Sequence, residues 1–91
     1  VIAHQGGDNE KAIELIEKAI TIKPDYAEAY SNLGSVLQKL GRGEEAIISY
    51  NRAIEILPNY SAAYYNLGNQ LYELTRLEDA AKNFRKAIFF F

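Results

Sequence analysis

Asn32 and Asn66 stand 34 positions apart, and each carboxamide can both donate to and accept from one extended peptide bond. A ladder of such residues holds a backbone whatever its side chains. The competing reading is an amide that is solvated or bonded between helices, and residue types alone leave both open. Tyr65 and Tyr72 offer large amphipathic surfaces, suited either to a partner or to packing within the chain.

Catalysis has less to work with. No nucleophile paired with a base, and no pair of titrating groups sharing a pocket, can be named among these 91 residues. His4 is the only histidine, cysteine is absent, and no acids cluster near His4 at metal-ligand spacing. His4 therefore reads as a loop or helix-end residue, and neither a metal nor a cofactor is expected. Gly6-Gly7 and Gly41-Arg42-Gly43 lack the lysine-serine pair and the strand context of a phosphate loop, so both read as helix stops. The expectation is a binding protein and not an enzyme.

Composition narrows the partners. The net charge is −2, and basic residues such as Lys11, Lys18, Arg52 and Lys86 are interleaved with acids, which argues against nucleic acid. No apolar run approaches the roughly 20 residues that span a bilayer, so no membrane partner is expected. Nearly half the residues are apolar and only two are proline, as in a folded chain. The lack of cysteine leaves the redox compartment open, with a soluble intracellular setting as the starting assumption. The chain has no methionine and opens inside a broken repeat, so it is expected to be a piece of something longer.

The elements that must position these residues follow from an internal repeat. Ala29-Tyr30-x-Asn32-Leu33-Gly34-x-x-Leu37 returns as Ala63-Tyr64-x-Asn66-Leu67-Gly68-x-x-Leu71. Glu44-x-Ala46 with Ala53-Ile54 returns as Glu78-x-Ala80 with Ala87-Ile88, and Ala12-Ile13, Ala19-Ile20 and Pro24 anticipate the same register. One truncated repeat (1–24) thus precedes two fuller ones (25–58 and 59–91), all in a single domain. Within each repeat the apolar spacing is helical: Tyr30, Leu33, Leu37 and Leu40 form one stripe, and Ala46, Ile47, Tyr50, Ala53, Ile54 and Leu57 another. Helices are predicted over 8–22, 26–40, 43–56, 60–74 and 77–90, with residues 1–5 finishing a lost helix. Pro24-Asp25 and Pro58-Asn59 would end one helix and cap the next, and Gly7 and Gly41 would close helices in the left-handed conformation. Glu14 with Lys18 and Glu78 with Lys82 have the favourable i,i+4 orientation.

These residues resemble the tetratricopeptide-repeat (TPR) family. Tyr30, Leu33, Gly34, Leu37, Ala46, Tyr50, Ala53 and Pro58 occupy the places of its pattern; Tyr64, Leu67, Gly68, Leu71, Ala80, Phe84 and Ala87 repeat the set. The resemblance covers essentially the whole chain and implies an all-α, right-handed solenoid of antiparallel helix pairs, about five helices in all. It departs from the pattern at Thr75, which stands where Gly41 stood, and at Phe89-Phe90-Phe91, which replaces Glu55-Ile56-Leu57.

Family members are mainly scaffolds that hold peptides or helices in a concave groove lined by the first helix of each repeat. The resemblance thus implies a protein or peptide partner and a groove carrying Glu28, Ser31, Asn32, Ser35, Gln38, Lys39, Ala62, Tyr65, Asn66, Asn69, Tyr72 and Glu73. Of these, Asn32, Ser35, Tyr65, Asn66, Asn69 and Tyr72 are the candidate binding residues. An asparagine ladder here is similar to that in the TPR region of O-linked N-acetylglucosamine transferase, and arrays resembling this one precede glycosyltransferase and other catalytic domains. TPR domains that capture chaperone carboxylates use lysines and arginines on this face, whereas Ser31, Ser35, Tyr65 and Asn69 fill most of the matching places.

Solenoids need polar caps, and none is legible at either end. The last helix is expected to expose Ala80, Phe84 and Phe91, and the first to expose part of Ile13, Ile16 and Ile20. Phe84, Phe89, Phe90 and Phe91 are therefore the candidate residues for self-association into a homo-oligomer, with an artefact of truncation as the alternative.

Overall fold

The apolar stripes fold as helices whose ends are set by backbone geometry. The computed structural model describes residues 7–91 with their side chains, the first helix being α1 (Ile2–Ile22). It is followed by α2 (Ala27–Lys39), α3 (Gly43–Ile56), α4 (Ser61–Glu73) and α5 (Leu77–Phe90), with no strand among the described residues. The expectations for His4, Gly6 and residues 1–5 lie outside the described residues.

Gly7 does not close a helix; it lies within α1. Glycine permits a left-handed residue without forcing one. Nothing stands within 4 Å of where its Cβ would be, so no packing partner favours a reversal there. Gly41 does take the left-handed conformation, at φ 76°. Its N–H donates to Gln38 and the next N–H, from Arg42, donates to Leu37, which satisfies carbonyls at the end of α2.

Thr75 repeats that turn at φ 60°, with its own N–H bonded to Tyr72 and that of Arg76 bonded to Leu71. The chain reversal therefore overrides the residue, because a β-branched side chain is strained at positive φ. Thr75→Gly is expected to stabilise the fold by about 1 kcal/mol and raise the thermal midpoint by several degrees. A lower midpoint would show that Thr75 carries no strain.

Asp25 and Asn59 do not cap. The residues before α2 and α4 are Tyr26 and Tyr60, and neither makes a side-chain cap bond. Of the two expected i,i+4 pairs, Glu14–Lys18 forms at 3.6 Å, and Glu78–Lys82 is not paired.

The helices stack in chain order. α2 pairs with α3 and α4 with α5; α1 packs on α2, and α4 seats against α3 and touches α2. Leu37, Ala46, Tyr50, Leu67, Leu71 and Ala80 form one core, with Ile13, Leu33, Ile47, Ile54 and Phe84 packed around it. Two close approaches set the spacing within each pair. Gly34 faces the Tyr50 ring and Gly68 faces the Phe84 ring, where an added Cβ would come within 2.5 Å and 2.7 Å of ring carbons. Glycine inside a helix costs about 1 kcal/mol relative to alanine, and the seated rings are the compensation.

Candidate protein-binding surface

The first helices α2 and α4 carry the polar candidates, and their second helices fix how those candidates sit. Ala29, Gly34 and Leu37 on α2, with Ala63, Leu67, Gly68 and Leu71 on α4, are buried and orient each helix. Asn32 is left exposed and Asn66 half-buried, at the same register position one repeat apart. Asn66 Nδ2 donates to Ser31 Oγ over a long 3.5 Å, a weak tether that leaves the amide oxygen uncommitted.

Ser31 itself is not a groove residue. It is 4% exposed, because α4 seats over that face of α2. A second α2 serine, Ser35, is half-buried, its hydroxyl 3.3 Å from that of Tyr50. Tyr50 donates to Gln38 Oε1 at 2.9 Å, and Gln38 Nε2 donates to Glu73 Oε1 at 2.9 Å. One polar chain thus ties α3, α2 and α4 together beside the candidate asparagines. Burial pushes the Tyr50 phenol above its ordinary value, with the Ser35 bond pulling the other way and the Glu73 charge adding to the rise. Tyr50 therefore stays a neutral donor at physiological pH.

Sequence reading missed this chain of bonds. The available signal was the contrast of Tyr50 with Phe84 at equivalent places, since a hydroxyl retained in one repeat and absent from the next implies a local partner. Gln70 was missed as well: it is 3% exposed, stacked on Gly43, and its Oε1 has no hydrogen-bond partner.

Asn69 is half-buried and Tyr72 exposed. Tyr72 is the counterpart of Gln38, which reaches across to the following repeat, so Tyr72 points where a further repeat would lie. Tyr65 is brought against Phe84, with ring centroids 6.0 Å apart, and borders a hollow at the α4–α5 end. The six candidates thus divide between two surfaces: Asn32, Ser35, Asn66 and Asn69 follow the first helices, whereas Tyr65 and Tyr72 turn toward the end.

The phenylalanines divide too. Phe84 is half-buried against the core, and Phe90 stacks on Tyr64 at 5.5 Å, while Phe89 and Phe91 are exposed. Ala80 is not exposed, being 2% accessible within the core. On α1 the exposed apolar residues are Leu15 and Ile22, with Ile13, Ile16 and Ile20 partly covered. Among the described residues no three His, Asp or Glu side chains are grouped to hold a metal, and no helix is long and apolar enough to cross a membrane.

Comparison with known proteins follows the repeat boundaries. A family model described as "TPR repeat" matches residues 2–41, and one described as "Tetratricopeptide repeat" matches residues 25–88. The comparison with curated proteins gave no match. Among solved structures, two crystal structures of MamA are similar at 31% and 32% identity with TM-scores of 0.87 and 0.83, covering 91% and 90% of this chain. The chain spans about half the length of each of them, 48% and 45%. The second TPR of Spaghetti (RPAP3), solved with the HSP90 peptide SRMEEVD bound, is 25% identical with a TM-score of 0.88, over 97% of this chain and 82% of that one.

Proposed function

The chain belongs to the tetratricopeptide-repeat family, and on that premise we propose that it is a protein-interaction scaffold holding an extended peptide or a helix against α2 and α4. The observation that carries the reading is the pair Asn32 and Asn66, two accessible amides in the same register on successive first helices. The polar chain from Tyr50 through Gln38 to Glu73 supports it by fixing the separation of those helices, so that the two amides meet a ligand without reordering the backbone.

The likeness to a TPR structure with a bound peptide supports a peptide ligand in general. Capture of a carboxylate is not what this face favours. Lys39 is the only lysine or arginine on α2 or α4, Ser31 is buried and Ser35 is engaged. Backbone-directed hydrogen bonding, of the kind attributed to the asparagine-lined TPR arrays of O-linked N-acetylglucosamine transferase, suits these side chains better and makes the groove tolerant of ligand sequence.

Peptides selected from a random library on the immobilised protein test this. The double substitution Asn32→Ala with Asn66→Ala is expected to weaken capture about tenfold or more, at roughly 1 kcal/mol per lost bond, with the circular dichroism melt unchanged. Undiminished capture by a folded double variant would sink the ladder.

Assembly of copies through the apolar end is the second reading, favoured by the exposure of Ile88, Phe89 and Phe91. It concerns the surface argued next.

A further inference from the structure

The chain's own repeat shows what shape its α4–α5 end is made to hold. α4 lies over the α2–α3 pair, where Ser31 is bonded to Asn66 and Tyr50 shares one core with Leu67 and Leu71. In that covered setting Tyr50 is 1% exposed and Ala53 is 0% exposed. One repeat later the counterparts of Ser31, Tyr50, Ala53, Ile54 and Leu57 are Tyr65, Phe84, Ala87, Ile88 and Phe91, and they line an apolar hollow of about 860 Å³. Ile88 is 76% exposed there, whereas its counterpart Ile54 is packed against the core. The hollow is thus the established α4 seat carried forward by one repeat, without its occupant.

Charge continues the same pattern. Arg42, three residues beyond the end of α2, pairs with Glu10 at 3.6 Å, and Arg76, three residues beyond the end of α4, pairs with Glu44. Glu78 is the next rung, and it has no ion-pair partner among the described residues.

We propose that the α4–α5 end docks an amphipathic helix of first-helix type from a separate partner chain. That helix is about as long as α2 and α4, 13 residues each. It carries the alanine-aromatic-x-x-leucine-glycine face that α4 presents to α3, and a basic residue just past its C-terminus answers Glu78. A second copy fits less well, because its own helices of this type, α2 and α4, are already seated in its fold. The site lies apart from the asparagine pair, so this proposal stands or falls independently of the groove.

The probe is a fluorescein-labelled synthetic peptide with the sequence of residues 59–76, titrated into the 91-residue protein and read by anisotropy. Saturable binding is expected, absent for a scrambled peptide of the same composition. Ile88→Glu with Phe91→Glu is expected to weaken it at least tenfold, and both side chains are exposed enough for the fold to tolerate the change. Glu78→Lys is expected to weaken it about two- to fivefold, restored by a peptide in which the arginine is replaced by glutamate. Asn32→Ala with Asn66→Ala is expected to leave it unaltered. No binding, equal binding of the scrambled peptide, or binding insensitive to Ile88→Glu with Phe91→Glu would overturn the proposal. So would a dimer in sedimentation equilibrium that those substitutions dissolve and the peptide does not displace, which would make a second copy the occupant.

Discussion

Tyr50→Ala is expected to destabilise the protein by about 3–5 kcal/mol, the largest single loss available to it. The ring is the largest fully buried side chain among the described residues; it fills the notch at Gly34 and shares its core with residues of α2, α4 and α5. Its removal leaves a cavity where three helix layers meet, in a domain whose whole stability is expected to be on the order of 5–15 kcal/mol. Tyr50→Phe separates the ring from its hydroxyl. It keeps the packing, loses the bonds to Ser35 and Gln38, and is expected to cost only about 1 kcal/mol. Urea denaturation followed by circular dichroism reads both, as midpoint shifts at constant slope. A small midpoint shift for Tyr50→Ala would mean that the repeats are held together elsewhere.

Alanine at the two packed glycines is expected to have unequal effects. At Gly34 the new Cβ would lie 2.5–2.8 Å from three carbons of Tyr50, inside van der Waals contact with a ring held by two hydroxyl partners. The strain of overpacking, about 1–3 kcal/mol, outweighs the gain of about 1 kcal/mol in helix propensity, so Gly34→Ala destabilises. At Gly68 the clash is with Phe84, at 2.7–3.2 Å, and that ring has no hydroxyl to pin it and borders the open hollow. The ring can shift, the propensity gain survives, and Gly68→Ala is expected to be near neutral. Equal midpoints for the two variants would contradict the idea that the hydroxyl partners lock Tyr50.

Much of this fold was legible because the repeat imposes its own consistency. Four of the five helices fall within a residue or two of the spans that apolar periodicity and Pro24, Gly41 and Pro58 imply. What failed were local signals that depend on neighbours in space. Gly7 has turn chemistry but nothing to turn against, and Thr75 lacks it yet is carried through the turn by packing on both sides. Ser31 and Ala80 were assigned to open faces because periodicity gives the stripe a residue belongs to and not which helix covers that stripe. For the same reason Tyr65 and Asn66, adjacent in sequence, were grouped on one surface although the structure divides them between two.

The proposed groove was legible only as residue types. The asparagine spacing could be read directly, but the bonds from Tyr50 through Gln38 to Glu73 join residues of three helices, and no spacing within a single helix encodes them. The terminal hollow is the opposite case, since the exposed Ile88 and Phe91 acquire meaning only when set beside their packed counterparts one repeat earlier.

The most direct measurement is amide chemical-shift mapping on the isotope-labelled protein with a library-selected peptide bound. The largest changes are expected in the side-chain amides of Asn32 and Asn66 and in the backbone of α2 and α4 around Ser35 and Asn69. Changes confined to α1, α3 or α5, with both asparagine side chains undisturbed, would contradict the claim that the first helices form the binding face.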